Sequence, residues 1–211
     1  MPSHPLRKGS LNQAAYSLFL FIRDVCDGDL VTWIDQQLAD ADPGIDAADR
    51  GVRMCAVLLD ALRNIHGVAD KMLSMALADL LLGGDPGREQ WVTTGASMIA
   101  IDTLVHNFLH RTGLLRRLKA EHAYGARCYA PGGCAEIIEG LARRTDARDI
   151  NPAFPASFPR FVQFAIWRFC AQGVLDICNG NRIDDRARCE NRYCPVFADC
   201  DRVCLNPSLA P

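Results

Sequence analysis

The 211-residue chain lacks any apolar run long enough to cross a bilayer, any alternation of apolar and polar residues longer than a few positions, and any internal repeat. The first absence excludes a membrane-spanning helix, which needs about 20 apolar residues in a row. The second leaves no half-buried strands from which to build a sheet. No export leader is expected either. Residues 14–22 follow Arg7 and Lys8 as a short signal core would. They carry no small-residue cleavage site and run straight into Arg23 and Asp24, so they read as a buried helix. Ten cysteines in a chain without an export signal point to a reducing compartment and to metal ligation rather than disulfides. The expected location is the cytoplasm.

A strong charge of either sign is also absent. The net value is −2, so overall charge does not announce a nucleic-acid partner. Its distribution is uneven: residues 1–102 hold 8 Lys and Arg against 14 Asp and Glu, and residues 103–211 hold 15 against 11. The second half therefore carries the basic groups, among them Arg116, Arg117, Lys119, Arg143, Arg144, Arg186, Arg188 and Arg192. At 49% apolar and 23% charged residues, the composition is that of a folded chain and not of a disordered one.

What is present is helical periodicity. Val52, Cys55, Leu58, Leu59, Leu62 and Ile65 share one helical face, with Asp46 or Asp49 available as an N-cap. Met72, Ala76, Leu77, Leu80 and Leu81 form a second face that ends at Gly83 and Gly84, and Leu104, Val105, Phe108 and Leu109 a third that ends at Gly113. Phe158, Phe161, Val162, Ala165, Ile166 and Phe169 form a fourth, with Pro159 in its first turn. Residues 11–26 and 29–40 also read as helices, and residues 42–44, 83–87, 130–133 and 151–155 as loops. The expected class is all-α, in two lobes spanning 1–102 and 103–211.

The densest chemistry lies in the tail, where Cys178, Cys189, Cys194, Cys200 and Cys204 follow one another at spacings of x10, x4, x5 and x3. Thiolates select zinc or iron–sulfur clusters over harder ions. A structural zinc site usually carries tight knuckles of two to four intervening residues, which the first three of these intervals supply only once. Four thiolates around an iron–sulfur cluster suit the irregular spacing better. Zinc, a disulfide knot and unpaired thiols are the other readings of the same cysteines.

Two further segments carry candidate chemistry. Residues 65–71 form a short glycine-containing connection between two helices, and the amides at the start of the second helix suit a phosphate. Lys71 lies in that helix's first turn, where the positive end of the dipole is expected to favour its neutral amine. Downstream, an apolar run stops at Asp102 where the next helix begins, the position of an N-cap. Read singly, Lys71 is a surface lysine and Asp102 a cap. His106 and His110 stand four apart on one helix face as a possible ligand pair, and Cys128 and Cys134 have no assignment.

In their order, these segments resemble the helix-hairpin-helix DNA glycosylase superfamily, and within it the endonuclease III-like iron–sulfur branch. That family's hairpin reads L-P-G-V-G-x-K-T-A, and residues 65–73 here read I-H-G-V-A-D-K-M-L. Its V-D-T-H-V motif falls on I-D-T-L-V at 101–105, and its C-x6-C-x2-C-x5-C loop falls on Cys178, Cys189, Cys194 and Cys200 with the last interval kept. The chain differs in having Ala69 for the second hairpin glycine, an extra segment at about 83–97, and only 64 residues before the hairpin.

The resemblance implies a two-lobed helical fold with the helix-hairpin-helix at about 52–82 and a cluster loop at 178–204. It implies a bifunctional glycosylase and abasic-site lyase with Lys71 as nucleophile and Asp102 as catalytic carboxylate. Gly67, Val68 and Ala69 would grip a phosphate, and Arg186, Arg188 and Arg192, with Arg182, would contact DNA. A 4Fe–4S cluster, with zinc as the alternative, would sit on Cys178, Cys189, Cys194 and Cys200, with Cys204 in reserve. The implied partner is double-stranded DNA carrying an oxidised pyrimidine, 8-oxoguanine or an abasic site, bound by a monomer near the nucleoid and away from membranes. Gln13, Gln90 and Trp91 are candidates for a residue that wedges into the duplex. Two rival readings are a non-catalytic iron–sulfur nucleic-acid-binding protein and a zinc-stapled helical interaction module.

Overall fold

The structure is a computed structural model that describes residues 10–206. Arg7 and Lys8 lie outside the described residues. Every regular element is helical, and no strand occurs among the described residues. The chain divides into two compact units, one ending at Ala100 and the other beginning at Ile101.

The first unit holds α1 (Ser10–Asp24), α2 (Leu30–Ala41), α3 (Arg50–Leu62), α4 (Asp70–Gly83) and α5 (Glu89–Ser97). Asp29 caps α2 by accepting the Thr32 amide at 3.0 Å, a bond that satisfies one of the first-turn donors a helix leaves over. Asp49 stands at the N-cap of α3 but makes no side-chain cap there; it pairs with Arg53 instead. The apolar face of α3 turns Met54, Cys55, Leu58 and Leu62 into a core shared with Ile34 and Leu38 of α2, Leu73, Leu77 and Leu81 of α4, and Trp91 of α5. Val52, expected on that face, is exposed, because Met54 fills the place one turn before Leu58.

The extra segment at 83–97 is largely helix α5, wedged against α3 and α4. Gly95 lets it approach: a Cβ there would lie 2.8 Å from Leu82. Trp91 is a core residue, with Nε1 donating to Asp35 at 2.6 Å and the Arg88 guanidinium over its ring. It is therefore not placed to wedge into a duplex. Gln90 donates to Asp42, while Gln13 is exposed. The expectation of a buried helix at 14–22 needs correction. α1 forms, but Leu11, Tyr16, Leu18 and Phe19 are exposed, because the core is already closed by α2–α5 and takes only Phe21 from α1 as a partly buried neighbour.

The second unit holds α6 (Thr103–Arg111), α7 (Leu114–Arg117), a 3-10 turn at Ala126–Tyr129, α8 (Cys134–Ala142), a second 3-10 turn at Ala147–Asp149, and α9 (Pro159–Cys170). α9 packs on α6 and α8, and α8 packs on the first 3-10 turn. Beyond α9 the described chain to residue 206 has no helix or strand. Specific bonds hold it: the Asp201 amide donates to the Thr112 carbonyl and the Val203 amide to the Arg111 carbonyl, at 3.2 and 2.9 Å. Asp201 also pairs with Arg116 and Arg117, so those two basic groups are spent on the fold. Gly113, at φ +81°, makes the approach possible, since a Cβ there would overlap the Asp201 carboxylate at 2.0 Å.

Candidate functional site

The turn between α3 and α4 is held by the core on both sides of one left-handed glycine. Ile65 is buried and Val68 packs against the same core, which fixes both ends of the turn. Between them Gly67 adopts φ +74°, a left-handed conformation that costs most other residues about 1–2 kcal/mol. The His66 amide donates to Ser17 Oγ of α1 at 3.3 Å. Ala69 is the N-cap of α4 and offers no side-chain cap, so the first-turn amides of α4 meet no capping oxygen from it. Lys71 is the second residue of α4 and half-buried. Asp70 beside it adds a carboxylate at the electropositive end of the helix, offset by Arg63 at 3.4 Å.

Asp102 is the N-cap of α6, accepting the Val105 amide at 2.9 Å. The strand of chain leading into it is fixed as well. The Ile101 amide donates to the Tyr129 hydroxyl at 2.8 Å, and that hydroxyl lies 3.3 Å from the Ile101 carbonyl. The carboxylate thus has a set direction. Lys71 belongs to the first unit and Asp102 to the second.

Cys178, Cys189, Cys194 and Cys200 line one small pocket in the second unit, together with Arg111, Ile183, Phe197 and Arg202. Cys204 is half-buried and is not among the pocket's lining residues. Three details suit an anionic thiolate centre. The Arg202 amide donates to Cys200 Sγ at 3.3 Å, and the Val196 amide bonds Cys194. The fully buried Cys170 bonds Cys178 and, with Arg111, holds its thiol below the usual range. Arg111 itself is 2% exposed, and only its Nη2 is used, on Asp185 at 2.6 Å. Its Nε and Nη1 are buried with no hydrogen-bond partner among the described residues, and donors left unpaired in this way are costly. Burial meanwhile pushes the Cys194 and Cys200 thiols up. Among the described residues these tail cysteines do not form a group of three or more ligand atoms converged closely enough to hold a single metal ion. A tetrahedral zinc site is compact, with sulfurs about 3.8 Å apart for Zn–S bonds near 2.3 Å.

A second cluster has that compactness. His106, His122, Cys128 and Cys134 bring one ligand atom each to within 4.8 Å of all the others, so the group could bind a metal ion. His106 sits on α6, Cys128 on the first 3-10 turn and Cys134 at the start of α8. Burial and the neighbouring His122 and His110 pull the His106 pKa down to about 4, which keeps the imidazole neutral. Burial and the nearby Cys128 push the Cys134 thiol up to about 12. His110, the expected partner of His106, is not part of the group.

The basic residues of the tail divide into two kinds. Arg182 is paired with Asp176 at 3.0 Å. Arg186, Arg188 and Arg192 are exposed, and among the described residues no carboxylate pairs with them. Arg188 and Arg192 line an open groove with Tyr193, a residue that is 98% exposed. Among the described residues no helix is long and apolar enough to cross a membrane.

His122 and Cys170 carry no local signature in the sequence, and neither do Cys128 and Cys134 taken as a pair. The available signal was the pair of equal intervals, His122-x5-Cys128-x5-Cys134, which is longer than the usual zinc knuckle. Compared with protein-family models, curated proteins and solved structures, the chain matches none.

Proposed function

We propose that the protein is a DNA glycosylase with abasic-site lyase activity, which removes an oxidised pyrimidine or 8-oxoguanine from double-stranded DNA. The observation that carries this reading is the turn at residues 65–69. It has apolar residues facing inward on both sides of a left-handed Gly67, and the lysine follows in the first turn of α4. That form supports a sequence-independent phosphate contact by Gly67, Val68 and Ala69. Arg186, Arg188 and Arg192 add phosphate partners in the tail, and the exposed Tyr193 beside two of them offers a face on which a base can stack.

In the proposed reaction the target nucleotide leaves the stack. Lys71 Nζ, as the neutral amine, attacks C1′ of the sugar, and the C1′–N bond to the damaged base breaks with its electron pair leaving on the base. Ring opening gives an imine between Lys71 and C1′. Loss of a C2′ proton then expels the 3′ phosphate, and water releases the lysine. Asp102 would supply the carboxylate that the resemblance implies, stabilising the positive charge that develops on the sugar. Cys178, Cys189, Cys194 and Cys200 are the residues that would hold a 4Fe–4S cluster, and the buried, half-used Arg111 supports a negatively charged group there. The cluster would order the tail loop that carries the basic groups. A monomer in the cytoplasm, at the nucleoid, is the corresponding setting.

The experiment is release of base and strand cleavage on duplexes carrying thymine glycol, 8-oxoguanine or a bare abasic site, for wild type and Asp102→Asn. Cleavage by wild type, slowed about 10²–10³-fold in the variant, is the expected result. Binding without cleavage would transfer the protein to the non-catalytic nucleic-acid-binding class.

A further inference from the structure

We propose that His106, His122, Cys128 and Cys134 bind a single zinc ion in a closed structural site, which staples the connection between α7 and α8 onto α6. The inference does not depend on the repair reading, since none of these residues belongs to the proposed reaction or to the tail cysteines.

The spacing of the donors fits one ion. His106 Nδ1 lies 3.4 Å from Cys134 Sγ and 3.5 Å from Cys128 Sγ, and His122 Nε2 lies 3.4 Å from Cys134 Sγ. A tetrahedral zinc with Zn–S near 2.3 Å and Zn–N near 2.0–2.1 Å sets nitrogen and sulfur ligands about 3.6 Å apart. Hydrogen bonding explains the cluster less well. One ring nitrogen faces two sulfurs and one sulfur faces two imidazoles, whereas thiols are weak donors with a single proton each. Two thiolates also balance the charge of Zn²⁺, so the loaded site adds no net charge to a place where three of the four residues are buried. With four protein ligands and no position left for water, the site is structural.

The surroundings are those of a ligand set. His122 Nδ1 lies 2.6 Å from the Ala120 carbonyl. A proton on Nδ1 donated to that carbonyl leaves the Nε2 lone pair for the metal, the usual arrangement of a ligating histidine. Gly133 brings the two cysteines together, because a Cβ there would stand 2.3 Å from the Arg127 carbonyl and 2.8 Å from that of Cys128. The connection also has little else to hold it. From Arg116 to Arg127 no residue is buried, so hydrophobic packing offers that stretch almost nothing, and a segment with so few buried contacts opens easily. A metal bound only by the folded arrangement adds its binding free energy to the order of the segment.

The test is zinc K-edge X-ray absorption on the full-length protein, with metal analysis of wild type, Cys134→Ser and His122→Cys. The expected result is one zinc per chain with two sulfur ligands at about 2.3 Å and two nitrogen ligands at about 2.0 Å. Cys134→Ser should lose the zinc. His122→Cys should keep it with three sulfurs and one nitrogen, which separates loss of a ligand from loss of the fold. Chelation of wild type should speed tryptic cleavage after Lys119 and Arg127 at least tenfold. A chain without zinc, a shell of four sulfurs, full zinc in Cys134→Ser, or cleavage unaffected by chelation would each overturn the proposal.

Discussion

At the scale of single residues, two arginines show opposite uses of burial. Arg50 is satisfied: it pairs with Asp42 at 2.7 Å and with Glu89 at 2.6 Å, and these bonds tie the loop before α3 to α5. Replacing it by Ala strands Asp42 and is expected to destabilise the protein by about 3 kcal/mol or more, read as a shift of the urea midpoint. The Arg50 guanidinium, aided by Gln90, holds the Asp42 carboxyl well below the usual carboxylate range. A carboxyl lowered in the folded state contributes its full stability above its unfolded pKa, near about 3.9, and loses it as pH falls below that value. Asp42→Asn should therefore lower stability at pH 7 and flatten the loss between about pH 4 and pH 2. An unchanged acid slope would show that the pair does not couple to folding. Arg111 is the unsatisfied case, with Nε and Nη1 buried and unpartnered beside four cysteines. Arg111→Met should leave the metal-free protein about as stable, since a buried cation with two unpartnered donors and a single ion pair to Asp185 is removed, yet reduce the iron bound at the proposed cluster several-fold. Full iron loading in that variant would sever the link between this cation and the thiolate pocket.

At the scale of elements, the turn between α3 and α4 carries two predictions. Gly67→Val forces a branched side chain into φ +74° and should weaken duplex binding about equally for every sequence, because phosphate contacts hold no base information. Loss confined to one lesion would contradict the assigned role. Asp70 sits where the phosphate would approach, so Asp70→Asn should tighten binding at low salt, with the gain fading as salt rises. The elements that could be read from sequence were those whose apolar residues recur every three or four positions. α4 ends at Gly83 and α9 begins at Pro159, as their spacing and end signals require. α5 and α8 were not legible. Each has nine residues, and α8 opens on a cysteine after two glycines where no polar cap announces a start. For α1 periodicity gave the helix but not its surroundings. Whether an apolar face is covered depends on partners that lie far away in the sequence.

At the scale of the whole molecule, the order of hairpin, Lys71, Asp102 and tail cysteines was readable because each carries a local signature: a glycine that must turn, a lysine at a helix start, a cap and a run of thiols. What the sequence kept hidden is contact between distant positions. His106 stands with His122, Cys128 and Cys134 only because α6, the 3-10 turn and α8 meet, and Cys170 reaches Cys178 only because the chain reverses after α9. The central claim is that Lys71 is an amine nucleophile, and borohydride trapping tests it most directly. Wild-type protein incubated with an abasic or oxidised-base duplex and borohydride should give a stable covalent adduct, mapped to Lys71 by mass spectrometry of the digested complex. Lys71→Ala should bind the same duplex and give no adduct. The account is contradicted by the absence of any adduct with wild type, or by an adduct that persists undiminished in Lys71→Ala.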